Sequence, residues 1–103
     1  MVTSDHLAAS VLVAELVACG LRDVVISPGS RHAPLVLAFH HAPRVRLTVA
    51  LDERSAGHIA LGMAVSTGRP AVVVCTSGTA AVNHGPDIAE AFHQRVPLIS
   101  ITA

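Results

Sequence analysis

The run Ala71-Val-Val-Val-Cys75 constrains the fold more than any other stretch of this chain: five consecutive apolar residues bounded by Gly68-Arg69-Pro70 and Thr76-Ser77-Gly78. An unbroken apolar run of this length suits a strand in a sheet covered on both faces. Shorter or less pure runs of the same kind recur at Val24–Ile26, Arg46–Ala50 and Pro97–Thr102, each preceded by a longer segment of helical character. Strands separated by helical crossovers have to lie parallel. The expectation is an α/β fold, a doubly wound parallel sheet with helices on both faces.

The intervening segments carry helix signals. Leu7, Val11 and Ala14, with Ala8, Leu12 and Leu16, form an apolar stripe at helical spacing; Ser4 is placed to cap it and Gly20 to end it. A second helix is expected from about Ala33 to His41, capped by Ser30, with Pro34 tolerable in its first turn and Pro43 just past its end. The third, from about Arg54 to Ser66, puts Ile59, Ala60, Met63 and Ala64 on one face and stops at Gly68-Arg69-Pro70. A fourth opens at Gly78 and reaches about Gln94, and Gly85-Pro86 must kink it or split it in two. No internal repeat, linker or low-complexity tract interrupts this order.

Composition narrows the partners. With 103 residues the chain suffices for one core, so a site needing two walls must borrow one. Apolar residues make up 51% and charged residues 14%, against about 25% charged in an ordinary globular domain. Much of the surface is therefore expected to be covered. Seven Lys and Arg balance seven Asp and Glu, which leaves no basic excess to hold a nucleic acid. Neither a membrane-spanning run nor a signal-peptide pattern is expected. Cys19 and Cys75 form no CxxC pair and read as small buried hydrophobes, consistent with a reducing, cytoplasmic setting.

In a doubly wound sheet ligands bind beyond the carboxyl ends of the strands, so three strand-to-helix corners are the candidates. Ser27-Pro28-Gly29-Ser30-Arg31 follows the first strand; taken alone it is first a Pro-Gly turn with a Ser cap and a solvated Arg. Its alternative is an anion site, with Gly29 admitting close backbone approach and Arg31 offering a bidentate contact. Thr76-Ser77-Gly78-Thr79-Ala80 repeats that design after the third strand and by itself is an ordinary helix cap. Leu51-Asp52-Glu53-Arg54 follows the second strand. For Asp52 and Glu53, helix-start chemistry and an acid or base at the active edge are evenly balanced. The seven histidines show no i, i+4 metal pair and are expected at surfaces or interfaces, with no metal site in this chain. No GxGxxG, Walker or hydrolytic-triad pattern is present.

Taken together, SPGSRHAPL at 27–35, DERSAGHIALGMA at 52–64, TSGTAAVN at 76–83 and RVPLISITA at 95–103 resemble the N-terminal, pyrimidine-binding domain of thiamine-diphosphate enzymes. Within that superfamily the SPGSR loop and the DER triplet are similar to the menaquinone-pathway synthases. Acetolactate-type carboligases tend instead to have a PGG loop and a His before the glutamate, where this chain has Ser30-Arg31 and Asp52.

The resemblance implies a truncated thiamine-diphosphate-binding fold, with residues 1–103 forming the N-terminal part of the pyrimidine domain. It implies that Glu53 is catalytic: its carboxyl hydrogen-bonds the aminopyrimidine of the cofactor and so promotes deprotonation of the thiazolium carbon. Pro28 and Gly29 are cofactor-binding, beside the pyrimidine ring, while Ser30 and Arg31 are substrate-binding. The implied transferase decarboxylates 2-oxoglutarate and adds the succinyl unit to isochorismate. Thiamine diphosphate and Mg2+ (or Mn2+) would be held mainly by a domain beyond this chain, in a homodimer or homotetramer, and the chain alone would be inactive. Two other readings stay open, an acetolactate-type carboligase domain and a non-catalytic phosphate-binding or dimerisation module.

Overall fold

The computed structural model describes residues 3–103. The element order is α1 (Ser4–Ala18), β1 (Asp23–Ile26), α2 (Ala33–His41), β2 (Arg46–Val49), α3 (Glu53–Thr67), β3 (Ala71–Cys75), α4 (Thr79–Val82), α5 (Gly85–Gln94) and β4 (Leu98–Thr102). The four strands form one parallel sheet in the order β2-β1-β3-β4. The apolar runs of the sequence occupy its centre: every residue of β1 and β3 is buried, whereas β2 and β4 are only partly covered.

The strand order dictates where the helices lie. The step from β1 to β2 runs one way across the sheet, while the steps from β2 to β3 and from β3 to β4 run the other way. Crossovers of one hand then place α2 on one face and α3 and α5 on the opposite face. The packing agrees. One cluster joins Val13 and Leu21 from the α1 side and Phe39 of α2 to Val24, Ile26, Val72 and Val74. The other joins Ala56, Ala60 and Ala64 of α3 to Val25, Ala71 and Val73. Each wholly buried valine contributes about 1.5–3 kcal/mol of transfer free energy, so the alternation of these strands between two faces is what fixes their register.

Several details depart from the periodicity. Most of the apolar stripe of α1 faces out: Leu7, Val11 and Leu12 are exposed, Leu16 alone of the stripe packs against the core, and Ala9 and Val13 are the buried residues. Because α1 is apolar almost all round, spacing alone could not choose its face. Its cap is Thr3, whose hydroxyl accepts from the His6 amide, not Ser4. On α3 the buried face is Ala56, Gly57, Ala60, Leu61 and Ala64, and Ile59 is exposed. Small residues win that face because they let the helix settle close onto the sheet. Gly68 ends α3 in the left-handed region at φ 69°. The fourth helical segment is split, and Pro86 sits in the first turn of α5, where its missing N–H costs nothing. Cys75 is buried as expected, but Cys19 is exposed as the residue following α1.

At the amino-terminal edge of the sheet Asp23 is buried and paired with Arg46, whose Nε and terminal nitrogen lie 2.7 and 2.6 Å from the same carboxylate oxygen. These two residues are register partners in β1 and β2. The pair closes the end of the sheet away from the three corners. Among the described residues, no helix is long and apolar enough to cross a membrane.

Candidate functional site

The strand order makes β1 and β3 neighbours whose following loops lead to opposite faces, and the crevice between such loops is where doubly wound sheets bind ligands. At this edge Ser27 is buried, and Pro28, Gly29, Ser30 and Arg31 are all exposed. The two corners touch at Gly29. A methyl group on Gly29 would stand 2.5 Å from Cε1 of His32 and 3.1 Å from Cβ of Thr76, so only glycine fits between them. Thr76 in turn donates its hydroxyl to the Ala103 carbonyl at 2.9 Å, tying the β3 corner to the end of β4.

Ser30 is not the cap of α2. That position falls to His32, which makes no side-chain capping bond, while the Ser30 carbonyl accepts from the Ala33 amide at 3.1 Å. The Ser30 side chain is thereby left exposed next to Arg31. Arg31 borders a groove of about 440 Å³ lined also by Asp5, Leu12, His32, Leu35 and Ala103. A larger groove, about 700 Å³, runs between α1 and α2 past His6, Leu37 and His41, and none of the candidate residues lines it.

The two acids after β2 are separated by their geometry. Asp52 is the cap of α3: one carboxylate oxygen accepts from the Ser55 amide and from the Ser55 hydroxyl, both at 2.9 Å. Those bonds, the backbone one foremost, hold its carboxyl below the usual carboxylate range. Helix-start chemistry is thus carried by Asp52. Glu53, the first residue of α3, is half buried and takes no part in the cap. Its charge reaches toward the end of β3: the Cys75 thiol is pushed up first by burial and then by Glu53.

Three buried polar residues of this end of the sheet were not singled out by spacing. His32 and His84, expected at surfaces or interfaces, are buried within the chain, as is Asp87 in the first turn of α5. His84 Nδ1 is 2.7 Å from Ser100 Oγ and 3.9 Å from Cys75 Sγ, and burial holds its pKa down against the opposing pull of Asp87 and Glu53. Asp87 sits against Gly57, and its Oδ1 lies 2.6 Å from His58 Nδ1. That contact is close but poorly directed, since neither carboxylate oxygen receives a hydrogen bond. Burial raises the Asp87 pKa despite His58 and His84. Gly57, four residues after Glu53, was the one sequence hint of this pocket, a glycine on the inner face of a helix.

These features fit one end of a cofactor. A carboxylate outside the helix cap after β2 and a bare glycine backbone after β1, at the same edge of the sheet, suit a flat heteroaromatic ring that needs an acid partner. They do not supply a metal site: among the described residues no group of three His, Cys, Asp or Glu could hold an ion.

Residues 7–103 match the family described as thiamine pyrophosphate enzyme, N-terminal TPP binding domain, and the chain belongs to that family. Its fold, a parallel α/β sheet covered on both faces, is the one expected from the strand runs. Curated relatives that the chain resembles over nearly its whole length carry the name 2-succinyl-5-enolpyruvyl-6-hydroxy-3-cyclohexene-1-carboxylate synthase. The chain is 58% identical over 98 residues to the protein of that name from Saccharopolyspora erythraea, covering 92% of this chain and 18% of the relative. It is 55% identical over 103 residues to that of Roseiflexus castenholzii, covering 100% and 18%, and 50% identical over 95 residues to that of Geobacillus kaustophilus, covering 92% and 16%. The chain therefore spans under a fifth of the length of these relatives.

Proposed function

We propose that this chain is the N-terminal part of the pyrimidine-binding domain of a 2-succinyl-5-enolpyruvyl-6-hydroxy-3-cyclohexene-1-carboxylate synthase. The parent is a transferase that decarboxylates 2-oxoglutarate and adds the succinyl unit to isochorismate on the way to menaquinone. The observation that carries the reading is the acid that α3 does not use: Asp52 fills the cap and Glu53 is left half buried at the ligand-binding edge. The shared identity with synthases of that name supports the choice of reaction.

Thiamine diphosphate, when bound, supplies the carbon nucleophile that takes up the 2-oxo acid. This chain's residues prepare and orient it. With the cofactor bound, the Glu53 carboxyl would hydrogen-bond the aminopyrimidine ring and so would set where that ring keeps its proton. Pro28 and Gly29 give the ring a flat backbone wall, and a side chain at position 29 would shift that wall by pressing on His32 and Thr76 behind it. Ser30 and Arg31, exposed beside them, offer a hydroxyl and a forked cation to the carboxylates of the two acidic substrates. Mg2+ and the diphosphate are assigned to residues outside this chain, and the parent is assigned to the cytoplasm as a homodimer or homotetramer. The exposed Leu51 and Val82 accord with such an assembly, being apolar surface that a second wall would cover. By itself the chain is expected to be inactive.

The test uses full-length protein with thiamine diphosphate and Mg2+, given either 2-oxoglutarate plus isochorismate or pyruvate alone. The synthase product from the first mixture supports the reading; acetolactate from the second replaces it with the carboligase. In the same protein Glu53→Gln should abolish most turnover while circular dichroism stays unchanged. Near-normal turnover of that variant removes Glu53 from the mechanism.

A further inference from the structure

His32 stands out from its surroundings. The four residues before it, Pro28 to Arg31, are all exposed, yet its own side chain is wholly buried. The ring nitrogen Nε2 lies 2.8 Å from the Ser27 carbonyl. A carbonyl can only accept, so Nε2 carries the proton and donates. This bond closes the corner from the back, joining its two buried ends, Ser27 and His32, while the Ala33 amide to Ser30 carbonyl bond closes it a second time. The other side of the ring is packed under Gly29: a methyl there would be 2.5 Å from Cε1 and 2.9 Å from Nδ1. Neither contact is needed to start α2, since His32 makes no side-chain cap bond.

We infer that His32 is the positioning residue of the Ser27–Arg31 corner: its Nε2–H bond and its contact with Gly29 hold Ser30 and Arg31 in the geometry that receives acidic substrate. This deepens the proposed function and rests on it for the identity of the substrate. The physical argument is preorganisation. A loop of exposed residues, one of them a long arginine, would sample many conformations, and ordering it only on binding weakens affinity. Misplacing a substrate-orienting group by about an ångström can lower rate by about a hundredfold. An apolar side chain at position 32 would also strand the buried Ser27 carbonyl without a donor.

Full-length protein carrying His32→Leu and His32→Gln tests this, since only Gln brings an N–H donor toward the Ser27 carbonyl. Hydrogen exchange on peptides spanning residues 27–36 reads the corner without reference to activity. The Leu variant should exchange faster there and nowhere else, and should lose at least about tenfold in kcat/KM for 2-oxoglutarate or isochorismate, mostly through KM. The apparent affinity for thiamine diphosphate should change little, and Gln should recover most of both losses. Equal behaviour of Leu and Gln, or a loosened corner with unchanged kcat/KM, overturns the inference. Should the Leu variant fail to fold, Gly29→Ala, which forces the ring aside with the imidazole kept, must give the same local rise in exchange; unchanged exchange overturns it as well. Wild-type protein that turns over neither substrate removes the proposed reaction, while the exchange data still decide whether His32 holds the corner.

Discussion

Substituting Gly57 by alanine sets two effects of opposite sign against each other. At an open position inside a helix this change stabilises by roughly 0.5–1 kcal/mol, because glycine loses more backbone freedom on folding. Gly62 on the same helix is such a position, with nothing within 4 Å of an added methyl. At Gly57 the methyl would come to 1.6 Å from Oδ2 and 2.3 Å from Cγ of Asp87, inside any possible contact. The carboxylate must move, and it is buried with the His58 ring beside it. Overpacking of this kind costs about 1–3 kcal/mol. Net destabilisation of about 1–3 kcal/mol is expected, a fall in midpoint of roughly 5–20 °C for a domain this size. The assay is thermal and urea unfolding followed by far-ultraviolet circular dichroism on wild type, Gly57→Ala, Gly62→Ala and Gly57→Ala with Asp87→Ala. Gly62→Ala should rise slightly. The double variant should recover most of the loss, since it removes the two atoms nearest the added methyl and leaves the Asp87 Cβ at 3.1 Å. A Gly57→Ala protein as stable as Gly62→Ala would refute the packing of Asp87 against α3.

Asp87→Asn tests the charge itself. Burial raises the Asp87 pKa, so the folded state binds its proton more tightly than the unfolded chain, and ionisation removes stability as pH rises from the ordinary carboxylate value through the raised one. The Asn variant should gain on wild type with rising pH in urea titrations; a constant or shrinking difference would contradict this. Asp52 has the opposite sign: its lowered pKa means stability present above the usual carboxylate value and lost as pH falls through the lowered one. Asp52→Asn, which keeps a capping oxygen, should therefore match wild type most closely in acid, as read by unfolding at several pH values. Gly68→Ala places a side chain at φ 69°, with open space around it, and should cost about 1 kcal/mol, with Gly68→Asn costing less; calorimetric midpoints decide.

How far this was legible in the sequence depended on what determined each feature. Strand runs and breakers are local, so the parallel sheet, the bounds of α2 and the break before Gly85-Pro86 could all be read directly. Which face of α1 turns inward is decided by what it packs against. With leucine, valine and alanine on nearly every side, Ala9 and Val13 could not be distinguished from Leu7 and Val11. The same holds for α3, where closeness to the sheet selected alanines over Ile59. At the site, position after a strand marked Asp52 and Glu53 equally, and only the Ser55 bonds assigned the cap to Asp52. His32, His84 and Asp87 were out of reach because polar residues become buried through tertiary contacts, here with Ser27, Ser100 and His58, that no spacing announces.

The alanine and glycine face of α3 has a mechanical consequence. Side chains of methyl size leave little compressible material between this helix and the strands beneath it. A helix seated on leucines can tilt by rotamer changes; at the sheet this one rests mainly on Ala56, Ala60 and Ala64, with Met63 the flexible side chain of that contact. Over its 15 residues, roughly 22 Å, α3 therefore behaves as a stiff lever with Glu53 at one tip and Gly68 at the other. A push at the Gly68 end is expected to reach Glu53 largely as displacement of the whole helix.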